Sequence, residues 1–230
     1  MTVRTPIKGR PTTVAAIAST DTPDWRVQGA CREEDPDLFF EGGKRRQSRA
    51  RKVCAGCPVL ARCLTQTLAR DDSTYRWGTG GGLNAVQRRA LSAELLLGNR
   101  PNLAMAELLL SPMWASVFRG LRNRCRSLGE IVAALRKHGL LVDEVTVRVA
   151  VWWAGGDGSR VAKPADGDTR AFGTRVREDH ADEIRRLRAQ GAWHLTVAAY
   201  LGAPMDPVSR AVAAIEQADA VAKENLGVAA

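Results

Sequence analysis

Four cysteines dominate the early part of the chain: Cys31, Cys54, Cys57 and Cys63, separated by twenty-two, two and five residues. Cys54 and Cys57 lie one helical turn apart, so both thiolates can face one centre. Cys63 returns on the next helix, and Cys31 closes a long loop. All-sulfur ligation selects soft centres, either zinc or an iron-sulfur cluster. Zinc modules usually offer two close pairs of ligands. Only one pair is close here, which tilts the spacing toward a cluster and keeps zinc as the alternative. Two other readings compete. Inert buried thiols fit poorly with four cysteines in 33 residues. A disulfide reductase using Cys54 and Cys57 would need a depressed thiol pKa, which Arg51 and Lys52 could provide, but such pairs favour a βαβ context that this helical segment lacks. Cys125 stands alone, and His138, His180 and His194 have no cysteine nearby, so these read as ordinary side chains.

The second group is basic. Lys44, Arg45, Arg46, Arg49, Arg51 and Lys52 form a dense run before the close cysteine pair, suited to salt-dependent phosphate contacts or to a solvated charged face. Arg88 and Arg89 are weaker candidates of the same kind. With 34 Lys and Arg against 25 Asp and Glu, the chain carries a formal charge of +9, which favours polyanionic partners, DNA first.

The elements that must position these groups read as helices. In residues 51–70, Val53, Leu60, Leu64 and Leu68 fall near helical spacing and Pro58 marks a break, giving two short helices; a third follows over 85–97. Beyond residue 100 the pattern becomes helix, turn, helix, in two copies. The later copy is DEIRRLRAQG (182–191), LTVAAYLG (195–202) and DPVSRAVAAIEQA (206–218). Its third helix starts with Asp206 as N-cap and Pro207 at the first helical position, which presents Ser209 and Arg210 to a DNA groove. The fainter copy spans FRGLRNRC (118–125), GEIVAALRKHG (129–139) and DEVTVRVAVWW (143–153), with Thr146 and Arg148 in the reading position. A strand competes with a helix there, because Val145, Val147, Val149 and Val151 alternate.

The segment DWRVQGACREEDPDLFF (24–40), the VCAGCPVLARCL spacing (53–64) and the glycine-tryptophan element YRWGTGGGL (75–83) resemble the WhiB-like family of actinobacterial and phage transcription factors. The likeness covers roughly residues 23–95. It implies a 4Fe-4S cluster on Cys31, Cys54, Cys57 and Cys63, sensitive to oxygen and nitric oxide, and docking onto the C-terminal domain of the principal sigma factor. The family usually reads Gly-hydrophobe-Trp-Gly-Gly at the turn. Trp77 and Gly78 match, whereas Arg76 and Thr79 depart. Trp25, Phe39 and Phe40 are candidates for the apolar side of such an interface.

The expected fold class is therefore mostly α: a small four-cysteine domain followed by one or two trihelical helix-turn-helix units. The expected divisions are a flexible tail (1–22), the cysteine domain (23–97), a connector (98–112), a helix-turn-helix or winged unit (113–156), a linker (157–178), a helix-turn-helix unit (179–220) and a tail (221–230). No apolar run approaches the roughly 20 residues that span a bilayer, and the run 14–18 is too short for a signal-peptide core, so a cytoplasmic regulator without catalytic activity is expected. The rivals are the disulfide reductase and a zinc-stabilised DNA-binding adaptor.

Overall fold

The computed structural model describes residues 24–40, 43–71, 77–125, 127–156, 158–161, 164–165 and 167–227. The expected tail 1–22, with its apolar run 14–18, and Tyr75 and Arg76 of the turn lie outside them.

The protein is mostly α-helical. Two 3₁₀ turns, Trp25–Gln28 and Ala30–Glu33, lead into a one-turn helix α1 (Asp37–Phe40). Helices α2 (Lys44–Ala55) and α3 (Leu60–Arg70), with the turn between them, carry three of the four early cysteines. Leu60, Leu64 and Leu68 recur every fourth residue, which puts them on one face of α3, and Leu60 and Leu64 are buried. A two-stranded antiparallel hairpin follows, β1 (Thr79–Gly80) and β2 (Leu83–Asn84), with Gly81 and Gly82 as its turn. Asn84 then caps α4 (Ala85–Leu96) through a reciprocal capping box with Gln87.

Residues 98–112, expected to be a connector, contain α5 (Leu103–Leu110), N-capped by Asn102. Helices α6 (Ala115–Arg124), α7 (Leu128–Lys137) and α8 (Glu144–Trp153) complete the fainter trihelical copy. The alternating valines are helical. Every residue of α8 from Val145 to Trp153 is buried, so no polar face interrupts the apolar pattern and the helical period is invisible in the sequence. The later copy comprises α10 (Ala181–Ala189), α11 (His194–Leu201) and α12 (Met205–Gly227), and the stretch 157–178, expected to be a linker, contains most of a further helix, α9 (Phe172–Asp179). Helix α12 begins before Asp206, which sits in its first turn and is not the N-cap; Pro207 is tolerated there because first-turn N–H groups need no intrahelical partner. The expected tail from 221 is helical through Gly227.

The cysteine-bearing helices share one hydrophobic core with the segment that follows. Leu60, Leu64, Leu83 and Leu91 pack in the same cluster as Leu109, Phe118, Leu135, Val149, Trp152 and Trp153. A second core unites Val176, Ile184, Leu187, Val197, Leu201, Val208 and Val212 with Ala93 of α4. Helix α4 therefore belongs to both, and α11 packs along it.

At that junction Glu94, fully buried, receives Arg148 Nη1 at 3.0 Å and two bonds from Arg160, at 2.9 and 3.1 Å. Arg148 also donates to the carbonyls of Gly158, Ala199 and Tyr200. Burial opposes the charge of both guanidiniums. At Arg160 the pull of Glu94 and Tyr200 more than offsets burial, while at Arg148 burial dominates.

Thr146 and Arg148, expected on a DNA-reading helix, are therefore interior residues. Thr146 Oγ1 accepts the Asn102 N–H at 2.8 Å, so the start of α5 covers it, and Arg148 is consumed by the Glu94 network. Neither can reach a base edge without unfolding α8 from its neighbours.

Candidate metal centre and its surroundings

Three of the four early thiols share one cavity. Cys31, Cys57 and Cys63 line a cavity of about 280 Å³ together with Trp25, Arg26, Val59, Thr67 and Arg70. Cys54 is not part of that lining and lies half-buried against the main core. Burial pushes its thiol up to about 11; a bond from the Gly82 N–H works the other way, and Cys63, Cys31 and Cys57 add to the rise. Cys31 is raised chiefly by burial, with Cys57 and Cys63 contributing. Negative charge on the neighbouring sulfurs is thus felt at Cys31 and Cys54. Among the described residues no group of three or more His, Cys, Asp or Glu side chains is drawn together as a metal-ion site.

Local structure explains the placement. Helix α2 ends at Ala55, so Cys54 closes it and Cys57, whose N–H bonds to the Cys54 carbonyl, opens the turn into α3. Cys63 follows on α3's first turn, and its carbonyl accepts from Thr67 Oγ1 at 2.8 Å. Cys31 arrives from the 3₁₀ segment, which is tied to α3 by Arg26 Nη2 donating to Gln66 Oε1 at 3.3 Å. The Trp25 ring lies within reach of the guanidiniums of Arg26 and Arg62, at 5.0 and 5.6 Å from its centroid. With Arg70 on the same wall, the cavity brings two arginines and three thiols together. The raised Cys54 thiol is the opposite of what a neutral-pH dithiol nucleophile requires.

The glycine turn is held from inside. Arg88, 2% exposed, pairs with Asp71 at 2.7 Å and donates to the carbonyls of Trp77, Gly78 and Leu83. It is a structural clamp, not a phosphate contact. At Gly78, φ is +62° and a Cβ would fall 2.1 Å from the Phe39 carbonyl oxygen, so only glycine allows α1 to abut the turn. That approach brings Phe39 and Phe40 beside Trp77. Phe40 is 67% and Trp77 73% exposed, leaving two large aromatic side chains on the surface at one corner. Trp25 belongs to the cavity wall instead.

The basic candidates divide. Lys44, Arg45, Arg46 and Arg49 lie on α2, where Lys44, Arg45, Arg46 and Arg49 border the surface and Arg49 pairs with Glu34 at 3.3 Å. On α12, Arg210 is exposed and Ser209 half-buried. The surrounding helices carry both signs, and Arg185 and Arg188 of α10 are neutralised by Asp219 and Glu216 of α12. Sequence reading missed Glu94, Arg160 and Trp153. A lone glutamate within VQRRALSAELLL was the available signal for the first; nothing local marked the other two.

A small helical unit built around four cysteines and a tryptophan-glycine turn, fused to further helices, is the class that fold and site define. The model of the family described as transcription factor WhiB matches residues 25–91. Over 82 residues the chain is 37% identical to transcriptional regulator WhiB1 of Bifidobacterium longum, covering 34% of this chain and 86% of that protein. It is 38% identical over 77 residues to WhiB2 of Mycobacterium tuberculosis (33% and 81%) and 41% identical over 69 residues to WhiB of Streptomyces coelicolor (29% and 74%). The chain belongs to the WhiB family of transcriptional regulators. No helix among the described residues is long and apolar enough to cross a membrane.

Proposed function

We propose that this chain is a redox- and nitric-oxide-responsive transcriptional regulator that holds a 4Fe-4S cluster on Cys31, Cys54, Cys57 and Cys63, docks onto the C-terminal domain of the principal sigma factor, binds DNA, and catalyses nothing. The observation that carries this reading is the gathering of Cys31, Cys57 and Cys63 on one cavity with Arg26 and Arg70, with Cys54 on the helix that leads into it. Four soft sulfur donors suit iron and sulfide, and their spacing in the chain, with one close pair instead of two, favours a cluster over a single zinc ion. When bound, the cluster supplies oxidant- and nitric-oxide-sensitive redox chemistry.

The residues of the chain do the rest. Arg26, Arg62 and Arg70 offset the charge of the thiolates, and Trp25 screens the cavity from water. Phe39, Phe40, Trp77 and Gly78 supply an apolar corner for sigma, with Trp25 next to the sulfurs behind it. Lys44, Arg45, Arg46 and Arg49 supply phosphate affinity, and Ser209 and Arg210 supply groove contacts from the 179–220 unit. Thr146 and Arg148 are excluded by burial.

Anaerobic purification followed by iron, sulfide and zinc assays tests the core of the reading. About four irons and four sulfides per chain are expected from the stoichiometry of the cluster, and serine at any one of the four cysteines should abolish stable loading. One zinc per chain and no sulfide would replace it with the zinc-stabilised adaptor. For sigma, a Trp77→Ala protein that keeps its iron should lose co-purification with the sigma domain.

A further inference from the structure

Residues 158–161, within the stretch expected to be a linker, lie against the turn that joins α11 to α12. Helix α11 ends in Gly202, whose φ of +66° lets the Gly202 and Ala203 N–H groups bond back to the carbonyls of Ala199 and Ala198, at 3.1 and 3.0 Å. That motif leaves the Leu201 carbonyl for donors from elsewhere. They come from the stretch: the Arg160 N–H at 2.9 Å and Ser159 Oγ at 3.2 Å. A Cβ on Gly202 would lie 2.8 Å from Ser159 Cα, so backbone rests on backbone there. Only Gly202, Ala203 and Pro204 then separate α11 from α12.

The Arg160 side chain is anchored on other helices. Its Nε and Nη2 grip the two carboxylate oxygens of Glu94 on α4, at 2.9 and 3.1 Å, and Nη1 donates to Glu144 Oε2 on α8 at 3.0 Å. The guanidinium also lies 4.7 Å from the centroid of the Tyr200 ring on α11. Apolar packing of α11 along α4 has no direction of its own, whereas a bidentate pair fixes orientation as well as distance. One residue thus holds the end of α11 by its backbone and α4 by its side chain.

We propose that residues 158–161 are a splint for the DNA-reading helix, with Arg160 as its positioning residue: it locks the α11–α12 turn to α4, so that Ser209 and Arg210 meet a groove at a fixed angle to the cysteine-bearing part. The inference rests on the DNA reading of α12. Base edges are read only when several side chains reach them together, while phosphate attraction tolerates changes of angle. Rocking at the turn therefore costs sequence preference before it costs general affinity. Arg160 lies beyond the family match, so the splint belongs to the later helices.

The test uses the full chain with Arg160→Met and, separately, Ser159→Ala. A site is first selected by the wild type from a library of random duplexes, and affinities for that site and for random duplex are then compared, at a temperature where circular dichroism shows the proteins folded. Arg160→Met should lose on the order of tenfold in preference for the selected site, the scale of one lost base-pair contact, with random-duplex affinity unchanged. Equal weakening on both duplexes, or full preference in the folded variant, overturns the proposal. Should Arg160→Met fail to fold, Ser159→Ala decides. Hydrogen exchange across 199–206, followed by mass spectrometry, should then rise on the order of fivefold, as for one lost hydrogen bond, together with a fall in preference; no change in either overturns the splint. Wild-type chain that selects no site defeats the DNA reading and this inference with it, whereas a selecting wild type whose folded variants keep its preference defeats the splint alone.

Discussion

Arg88 and Glu94, six residues apart on α4, each hold a separate part of the structure to that helix. Arg88 binds Asp71 and three carbonyls of the glycine-turn region, where a neutral side chain would leave acceptors buried without a donor. Arg88→Met should cost about 3 kcal/mol, read as a fall in the denaturation midpoint with an unchanged slope. Glu94 receives two guanidiniums and the Asn99 amide. Glu94→Gln leaves Arg148 and Arg160 facing each other without their carboxylate, and a loss of about 3–5 kcal/mol is expected, or on the order of 10 °C in Tm for a chain of this size. The same residue types were legible in the sequence as cations and an anion. Their roles were not, because a buried arginine and a DNA-facing arginine look alike until the helix that covers them is known.

At the scale of elements, α2 and α12 divide the proposed DNA contact into two measurable kinds. Replacing Lys44, Arg45 and Arg46 by alanine should weaken binding to specific and random duplex alike and flatten the salt dependence by roughly one unit of slope for each phosphate that is no longer neutralised. Arg210→Ala should instead weaken a selected site far more than random duplex; equal weakening on both would reduce Arg210 to a phosphate ligand. The junction of α9 and α10 makes an acid-limb prediction. His180 Nδ1 lies 2.9 Å from Glu183 Oε2, and that hydrogen bond holds the Glu183 carboxyl below its ordinary range. A folded pKa below the unfolded one contributes stability above the unfolded value, lost as pH falls through the depressed one. Thermal midpoints between about pH 6 and pH 3 should therefore fall less steeply in Glu183→Gln than in wild type.

For the whole molecule, the cysteine-bearing part and the helices after it are not beads on a string. Leu64 and Leu91 are covered by α5–α8, and Ala93 by the C-terminal helices. A chain ending at residue 97 would expose that surface, and it should show low helicity by circular dichroism, rapid proteolysis and poor iron retention. Small domains of about 70 residues bury little core of their own, and in this chain the later helices add a protein wall. Leu91→Ala, at the centre of the shared core, should cost roughly 2–5 kcal/mol by the usual scale for large-to-small changes.

The sequence by itself determined the four-cysteine set, the mostly α-helical class, the family likeness and several of the helices, though not α5 or α9, because each is written in local spacing: ligand intervals, capping residues, apolar residues three and four apart. Only the tertiary structure decided which charges face water. Thr146 and Arg148 occupy a position parallel to Ser209 and Arg210 in the two trihelical copies, yet α5 and Glu94 bury the first pair while Arg210 stays exposed. Burial is set by contacts between residues far apart in the chain, and no local period records them.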